Sequence, residues 1–161
     1  MIMKKKYLPE KKTGIWVDQE DAFLIRLEGK KEPIIQHIRS DVESRVRTKG
    51  EGKVSARFGN AFIDDQEKKQ RRQRHERKRY FDEIIDIVRN DDYIFLFGPG
   101  KGKEELNNAF EKEHAIKAKV ILFETTDRLT ENQRLEKTLD YFNGEEFKSA
   151  RRKMRHEGHF H

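Results

Sequence analysis

Cysteine is absent from the 161-residue sequence, and proline occurs only three times. Without thiols the chain forms no disulfide, uses no thiolate nucleophile and holds no metal through cysteine. Long hydrophobic runs are also missing, because none approaches the roughly 18 apolar residues of a membrane-spanning helix. The basic N-terminus is followed by no apolar segment of the secretory type. These absences predict a soluble cytoplasmic protein with no membrane partner.

Apolar residues are scarce, at 34% against 41% charged residues. Leu, Ile, Val and Phe nevertheless make up about 24% of the chain, above the ~20% below which highly charged chains stay disordered. The length fits one domain with one modest core. A single folded domain is therefore expected.

The net charge of +6 is unevenly distributed along the chain. Residues 1–12, 44–79 and 148–161 carry net charges of +4, +8 and +4, so the remainder carries −10. Clustered cations favour a polyanionic partner such as nucleic acid, because binding releases condensed counterions. Solvated surface faces are the alternative interpretation of each run.

The apolar pattern predicts the order β-β-β-α-β-α-β-α. Two β-rich runs form a hairpin over 14–28, residues 33–39 form a third strand, and buried strands cover 93–97 and 120–123. Thr130 and Gln133 have the spacing of a helix capping box. We therefore predict an α/β fold: a mixed five-stranded sheet, three antiparallel strands then βαβ, flanked by helices in a ribonuclease H-like arrangement.

The predicted domain covers 13–142, between a basic flexible tail at 1–12 and a basic tail at 143–161. Within the domain, residues 40–65 are predicted to be an exposed basic loop. One long helix is predicted over 66–90, with its basic N-terminal half projecting into solvent, because 66–79 contains no apolar residue.

The basic run at 68–79 is the strongest local signal. Only Phe58 and Tyr80 flank it as aromatic residues, so contact with an RNA backbone is the main expectation. The candidate RNA-binding residues are Arg45, Arg47, Lys49, Gly50, Gly52, Lys53, Arg57, Lys68, Lys69, Arg71, Arg72, Arg74, Arg77, Lys78, Arg79, Arg151, Arg152 and Lys153.

The glycine-rich segment 98–103 does not match the Walker pattern or the dinucleotide-binding fingerprint. A strand, a glycine turn and a helix can still present backbone N–H groups to an anion. Gly98, Gly100 and Lys103 are therefore candidates for an anion-binding turn, and a plain tight turn is the alternative.

Enzymatic chemistry has weaker support. Asp18 follows strand one, where ribonuclease H-like nucleases place a metal carboxylate, and Asp127 follows strand five; Asp82 or Glu83 would be needed to complete a two-metal site. Asp18 equally suits a plain hairpin turn. His156, His159 and His161 lie close together in the predicted tail and could bind a transition metal. A flexible tail with no metal is the simpler interpretation. The prediction is no catalytic residue, no metal, no cofactor and no small-molecule substrate.

The order of several motifs resembles a family. The motifs are Trp16 with Asp18, Tyr80–Ile84, Gly98–Gly100 with Lys103, Glu105 and Leu106, and Glu124, Thr125, Asp127, Thr130 and Gln133. Over 13–142 they resemble small bacterial translational machinery proteins, related to the middle domain of archaeal and eukaryotic class-1 release factors and of Pelota. In release factors the corresponding loop carries Gly-Gly-Gln, which promotes peptidyl-tRNA hydrolysis. Here no Gln follows Gly50 and Gly52, as in Pelota-like proteins, so release activity is not expected.

The resemblance implies a non-enzymatic factor of the ribosome, of the rescue, stress or dormancy type, that binds ribosomal RNA or tRNA. Two other functions remain open. One is a metal-dependent nuclease that uses Asp18 and Asp127, and the other is a protein-interaction module in which the basic helix docks an acidic partner.

Overall fold

The computed structural model describes residues 9–40, 59–117 and 119–158. The strands and helices alternate much as the apolar pattern predicts. The elements are β1 (Lys11–Val17), β2 (Asp21–Glu28), β3 (Ile34–Arg39), α1 (Gly59–Val88), β4 (Tyr93–Gly98), α2 (Gly102–Glu111), α3 (His114–Lys117), β5 (Val120–Thr125), α4 (Glu131–Asn143) and α5 (Glu145–Gly158).

One five-stranded sheet, in the order β3-β2-β1-β4-β5, organises the fold. β1 pairs antiparallel with β2, and β2 pairs antiparallel with β3. β1 pairs parallel with β4, and β4 pairs parallel with β5. The predicted mixed sheet of three antiparallel strands followed by βαβ is confirmed.

Side chains alternate across the sheet and build a core on each face. On the first face, here called the α1 face, Ile15, Leu24 and Leu96 pack against the C-terminal part of α1 and against α2. On the second face, the α4 face, Trp16 and Phe95 pack against α4 and α5. The sheet therefore separates the long helix from the two C-terminal helices.

The α4 face depends on one close approach. A Cβ atom at Gly14 of β1 would lie 2.3 Å from Oγ1 of Thr138 on α4, so glycine is what allows this helix to approach the sheet. The N-terminus of α4 carries the predicted capping box. The Gln133 N–H donates to Thr130 Oγ1 at 3.2 Å, and the Thr130 N–H donates to Gln133 Oε1 at 2.9 Å.

Three predicted boundaries are wrong. The loop predicted over 40–65 ends earlier, because α1 begins at Gly59; residues 41–58 lie outside the described residues. The tail predicted over 143–161 is helix α5 as far as Gly158, because Phe147 is buried in the core of the α4 face. The tail predicted over 1–12 overlaps β1, which begins at Lys11; residues 1–8 lie outside the described residues.

Within the described ranges, no helix is both long enough and apolar enough to cross a membrane.

Candidate nucleic-acid interface

Helix α1 has a docked half and an exposed half. From Tyr80 onward its apolar side chains are buried against the sheet. The side chains of 64–79 are all exposed or half-buried. Eight cations lie in that exposed half, over about 18 Å of helix at ~1.5 Å per residue. They are Lys68, Lys69, Arg71, Arg72, Arg74, Arg77, Lys78 and Arg79.

The cations surround the helix, but most lie away from the core. At ~100° per residue, the buried stripe of 80–88 defines one side of α1, and Lys68, Arg72 and Arg79 lie opposite it. Arg77 points instead toward α2, where its Nη1 lies 3.5 Å from Oε2 of Glu105. The outward side of α1 is therefore the part best placed to meet an extended polyanion.

Two hydrogen bonds form where the exposed half of α1 meets the docked half. Lys78 donates to Oδ2 of Asp82 at 2.9 Å, one helical turn further on. That hydrogen bond and the negative charge of Asp82 raise the pKa of Lys78, so its ammonium stays charged. The Tyr80 hydroxyl donates to the backbone carbonyl of Asp18 at 3.3 Å. This bond joins the start of the docked half to the hairpin between β1 and β2.

The other predicted RNA-binding residues do not join this surface in the described part of the chain. The candidates in the basic loop predicted over 40–65 lie outside the described residues: Arg45, Arg47, Lys49, Gly50, Gly52, Lys53 and Arg57. The C-terminal cations lie on α5, which packs on the α4 face. Arg151 donates to Oε1 of Glu10 at 2.6 Å and lies over the ring of Phe147, so it joins α5 to the residue that precedes β1. Arg152 and Lys153 are exposed.

The glycine-rich turn after β4 is built around backbone contacts. Gly98 and Gly100 have positive φ angles of 147° and 60°, and a Cβ atom at Gly98 would lie 2.2 Å from the Val17 carbonyl oxygen. Lys103 is 2% exposed, and its Nζ donates to the Gly100 carbonyl at 2.7 Å. Lys103 thus closes the turn from inside, and anion binding at this turn stays a prediction.

Asp18 stabilises the hairpin between β1 and β2. Its Oδ1 accepts hydrogen bonds from the backbone N–H groups of Glu20 and Asp21, at 2.8 and 2.7 Å. Asp127 is exposed after β5, as are Asp82 and Glu83 on α1. Among the described residues there is no group of three or more His, Asp or Glu side chains that could hold a metal ion. His156 lies on α5, while His159 and His161 lie outside the described residues.

Sequence reasoning missed a stack of rings on the α4 face. The guanidinium of Arg134 lies 3.6 Å from the centroid of the Phe23 ring, and Phe23 stacks on His37. Arg134 donates to the Leu129 carbonyl at 2.6 Å. Burial lowers the pKa of Arg134, and the charges of Glu131 and Asp21 oppose that shift. Strand alternation gives each of Phe23 and His37 a face, but only the register of β2 with β3 sets the two rings opposite each other.

Sequence reasoning also missed an acidic groove, opposite in charge to the exposed half of α1. It has a volume of about 520 Å³ on the α4 face, and apolar side chains such as Phe95, Leu122 and Tyr141 contribute to its lining. Lys137 reaches Glu124 at 3.1 Å. The carboxylates that line the groove belong to Glu124, Glu136, Asp140 and Glu146. This acidic groove would repel phosphates, so it is unsuited to a nucleic-acid backbone.

Two solved structures share this fold. The Pelota protein of Thermoplasma acidophilum gives a TM-score of 0.50 at 12% identity and covers 89% of this chain. The archaeal translation termination factor aRF1 gives a TM-score of 0.51 at 13% identity and covers 93% of this chain. The chain spans only 36% and 39% of the length of those proteins. No family model and no curated protein matches the sequence.

The similarity predicted from the motif order is therefore confirmed at the level of the fold. Membership of the small bacterial family stays a prediction.

Proposed function

We propose that this protein is a non-enzymatic RNA-binding factor that acts in translation at the ribosome, in a rescue, stress or dormancy role. In this proposal the outward cations of α1 contact the phosphate backbone of ribosomal RNA or tRNA. The observation that carries it is the exposed half of α1, where eight cations lie within twelve residues, 68–79.

The charge arrangement is unfavourable for an isolated helix. Lys68 and Arg72, and likewise Arg74 and Lys78, are like charges at i,i+4, each pair costing about 0.2–0.5 kcal/mol. No apolar side chain is buried among residues 64–79, so burial does not offset this cost. Closely spaced phosphates would turn the repulsion into attraction and release counterions. An RNA backbone therefore suits this surface better than bulk solvent does.

The shared fold supports the translational part of the proposal. One of the similar structures is by name a translation termination factor, and the other is a Pelota protein. Peptide release is not proposed, because no Gln follows Gly50 and Gly52. A nuclease is not favoured either, because Oδ1 of Asp18 is engaged with the hairpin backbone.

The test replaces Lys68, Arg71 and Arg72 by Gln in one variant. Binding to a structured RNA is measured by fluorescence anisotropy at several salt concentrations, and ribosome association by cosedimentation. Each lost phosphate contact lowers the slope of log K against log[salt] by about 0.9. We expect a slope smaller by roughly 2–3, and an affinity lower on the order of 100-fold at 0.1 M salt.

The matched control replaces three cations elsewhere, Lys30, Lys31 and Lys112, by Gln. It should bind like the wild type, because these side chains are exposed outside α1. Equal loss in both triple variants would show that only total charge matters. Ribosome association that survives nuclease digestion would indicate an acidic protein partner instead. Cleavage of the RNA in the presence of Mg²⁺, lost in Asp18→Asn, would contradict the non-enzymatic role.

A further inference from the structure

The ring of His37 on edge strand β3 is held from two directions. It stacks on Phe23 with a centroid separation of 4.3 Å and an interplanar angle of 7°. Its Nε2 lies 2.8 Å from Oδ1 of Asp21. Phe23 in turn contacts the guanidinium of Arg134. The imidazole therefore has a fixed orientation before any ligand arrives.

This fixed ring is still open to solvent. The side chain of His37 is 42% exposed, although one ring face lies on Phe23 and one ring nitrogen contacts Asp21. The exposed area consequently belongs mainly to the opposite ring face and the remaining ring edge. A flat aromatic face of this kind is a surface on which a planar ligand can stack.

A cation lies beside the open ring. Arg39 is two residues further along β3, on the same face of the sheet, and its side chain is 60% exposed. Its Nε lies 3.4 Å from Oδ1 of Asp21, so one carboxylate positions both the imidazole and the guanidinium. Arg39 also lines a small cavity whose other residues belong to α1: Glu76, Arg79, Tyr80 and Glu83. Arg39 therefore joins the edge of the sheet at β3 to α1, although His37 itself lies on the α4 face.

We propose that an unpaired nucleobase of RNA stacks on the open face of His37, while Arg39 contacts the adjoining phosphate. Stacking on aromatic side chains is a common way in which proteins bind unpaired bases. The inference rests on the proposed RNA-binding function and adds a preference: the ligand combines a backbone along α1 with an unstacked base at β3. A fully paired duplex would lack the second contact.

The experiment compares two RNAs, a hairpin with an unpaired loop and a duplex of equal length without unpaired bases. His37→Ala should lower affinity for the loop RNA about 5- to 100-fold, the range for losing one base–aromatic stack. It should leave duplex binding and the salt slope unchanged, because no charge contact is removed. His37→Tyr should retain most of the affinity. A 2-aminopurine in the loop should be quenched by the wild type and less by His37→Ala.

The control is Ile34→Ala on the same strand. Ile34 is 61% exposed and lies on the opposite face of β3 from His37, so this change should leave loop-RNA binding unaltered. The stacking site is refuted if His37→Ala binds loop RNA like the wild type while the α1 triple variant loses binding; the proposed function then stands. Equal losses on loop and duplex RNA would also refute it. If the wild type binds neither RNA, both proposals fail.

Discussion

The buried carboxylate of Asp91 is expected to be one of the most sensitive positions in the fold. It lies in the turn between α1 and β4 and is 0% exposed. Its Oδ2 accepts a hydrogen bond from Thr13 Oγ1 at 2.5 Å, and its Oδ1 accepts one from Nη2 of Arg26 at 3.0 Å. It thereby joins β1 and β2 to the docked end of α1. We expect Asp91→Ala to destabilise the protein strongly.

The magnitude follows from the groups left behind. The Thr13 hydroxyl is buried and would lose its acceptor, which costs about 1–3 kcal/mol. The Arg26 side chain is 32% exposed, so water can partly rehydrate its charge. The loss there is smaller than the ~3–5 kcal/mol for breaking a fully buried pair. Together these effects predict a decrease in the free energy of unfolding of about 2–4 kcal/mol.

Urea unfolding followed by circular dichroism measures this change. With an m-value of about 2 kcal/mol per molar urea, the midpoint should fall by roughly 1–2 M. Thr13→Val added to Asp91→Ala should recover about 1 kcal/mol, because the orphaned hydroxyl is then replaced by a methyl group. A midpoint change below about 0.3 M in Asp91→Ala, or no recovery in the double variant, would refute this reasoning.

Two further predictions concern the α4 face. Gly14→Ala should cost about 1–3 kcal/mol, because the new methyl group overlaps Thr138 and displaces α4; Thr138→Ala in the same chain should restore part of the loss in urea unfolding. Burial and the charge of Glu146 raise the pKa of Tyr141 to about 12, above the ~10 of an unfolded tyrosine. Its neutral form therefore stabilises the fold fully below pH ~10, and this contribution is lost as the pH rises toward about 12. Tyrosinate absorbance and unfolding midpoints should show that loss, and Tyr141→Phe should reduce it; an identical alkaline decline in both proteins would contradict the assignment.

The features predicted correctly are those specified by neighbouring residues. The apolar run at 93–97 is strand β4, and the glycines that follow it have the positive φ angles of a tight turn. Thr130 and Gln133 form both hydrogen bonds of the capping box. Each signal lies within a few residues, so local conformational preference determines the outcome without long-range contacts.

The features missed depend on contacts between distant segments. Helix α5 has the composition of a solvated tail, but Phe147 packs edge-on against Tyr93 at 5.2 Å, and Arg151 and Arg155 reach Glu10. The spacing of Phe147, Ala150 and Met154, at i, i+3 and i+7, is a helical signal in that segment. The stack at His37 likewise requires the pairing register of β2 with β3, which the hairpin sequence does not determine alone.

The sheet gives the domain an electrostatic orientation that the net charge of +6 conceals. The basic half of α1 extends from the α1 face, whereas the groove on the α4 face is lined by four carboxylates and one lysine. A polyanion that approached the groove would be repelled, and one that approached α1 would be attracted. His37 lies on the α4 face of edge strand β3, and Arg39, two residues further on, lines a cavity with residues of α1. An RNA held along α1 would therefore reach the β3 edge before it met the acidic groove, which is the arrangement that a backbone contact followed by a stacked base requires.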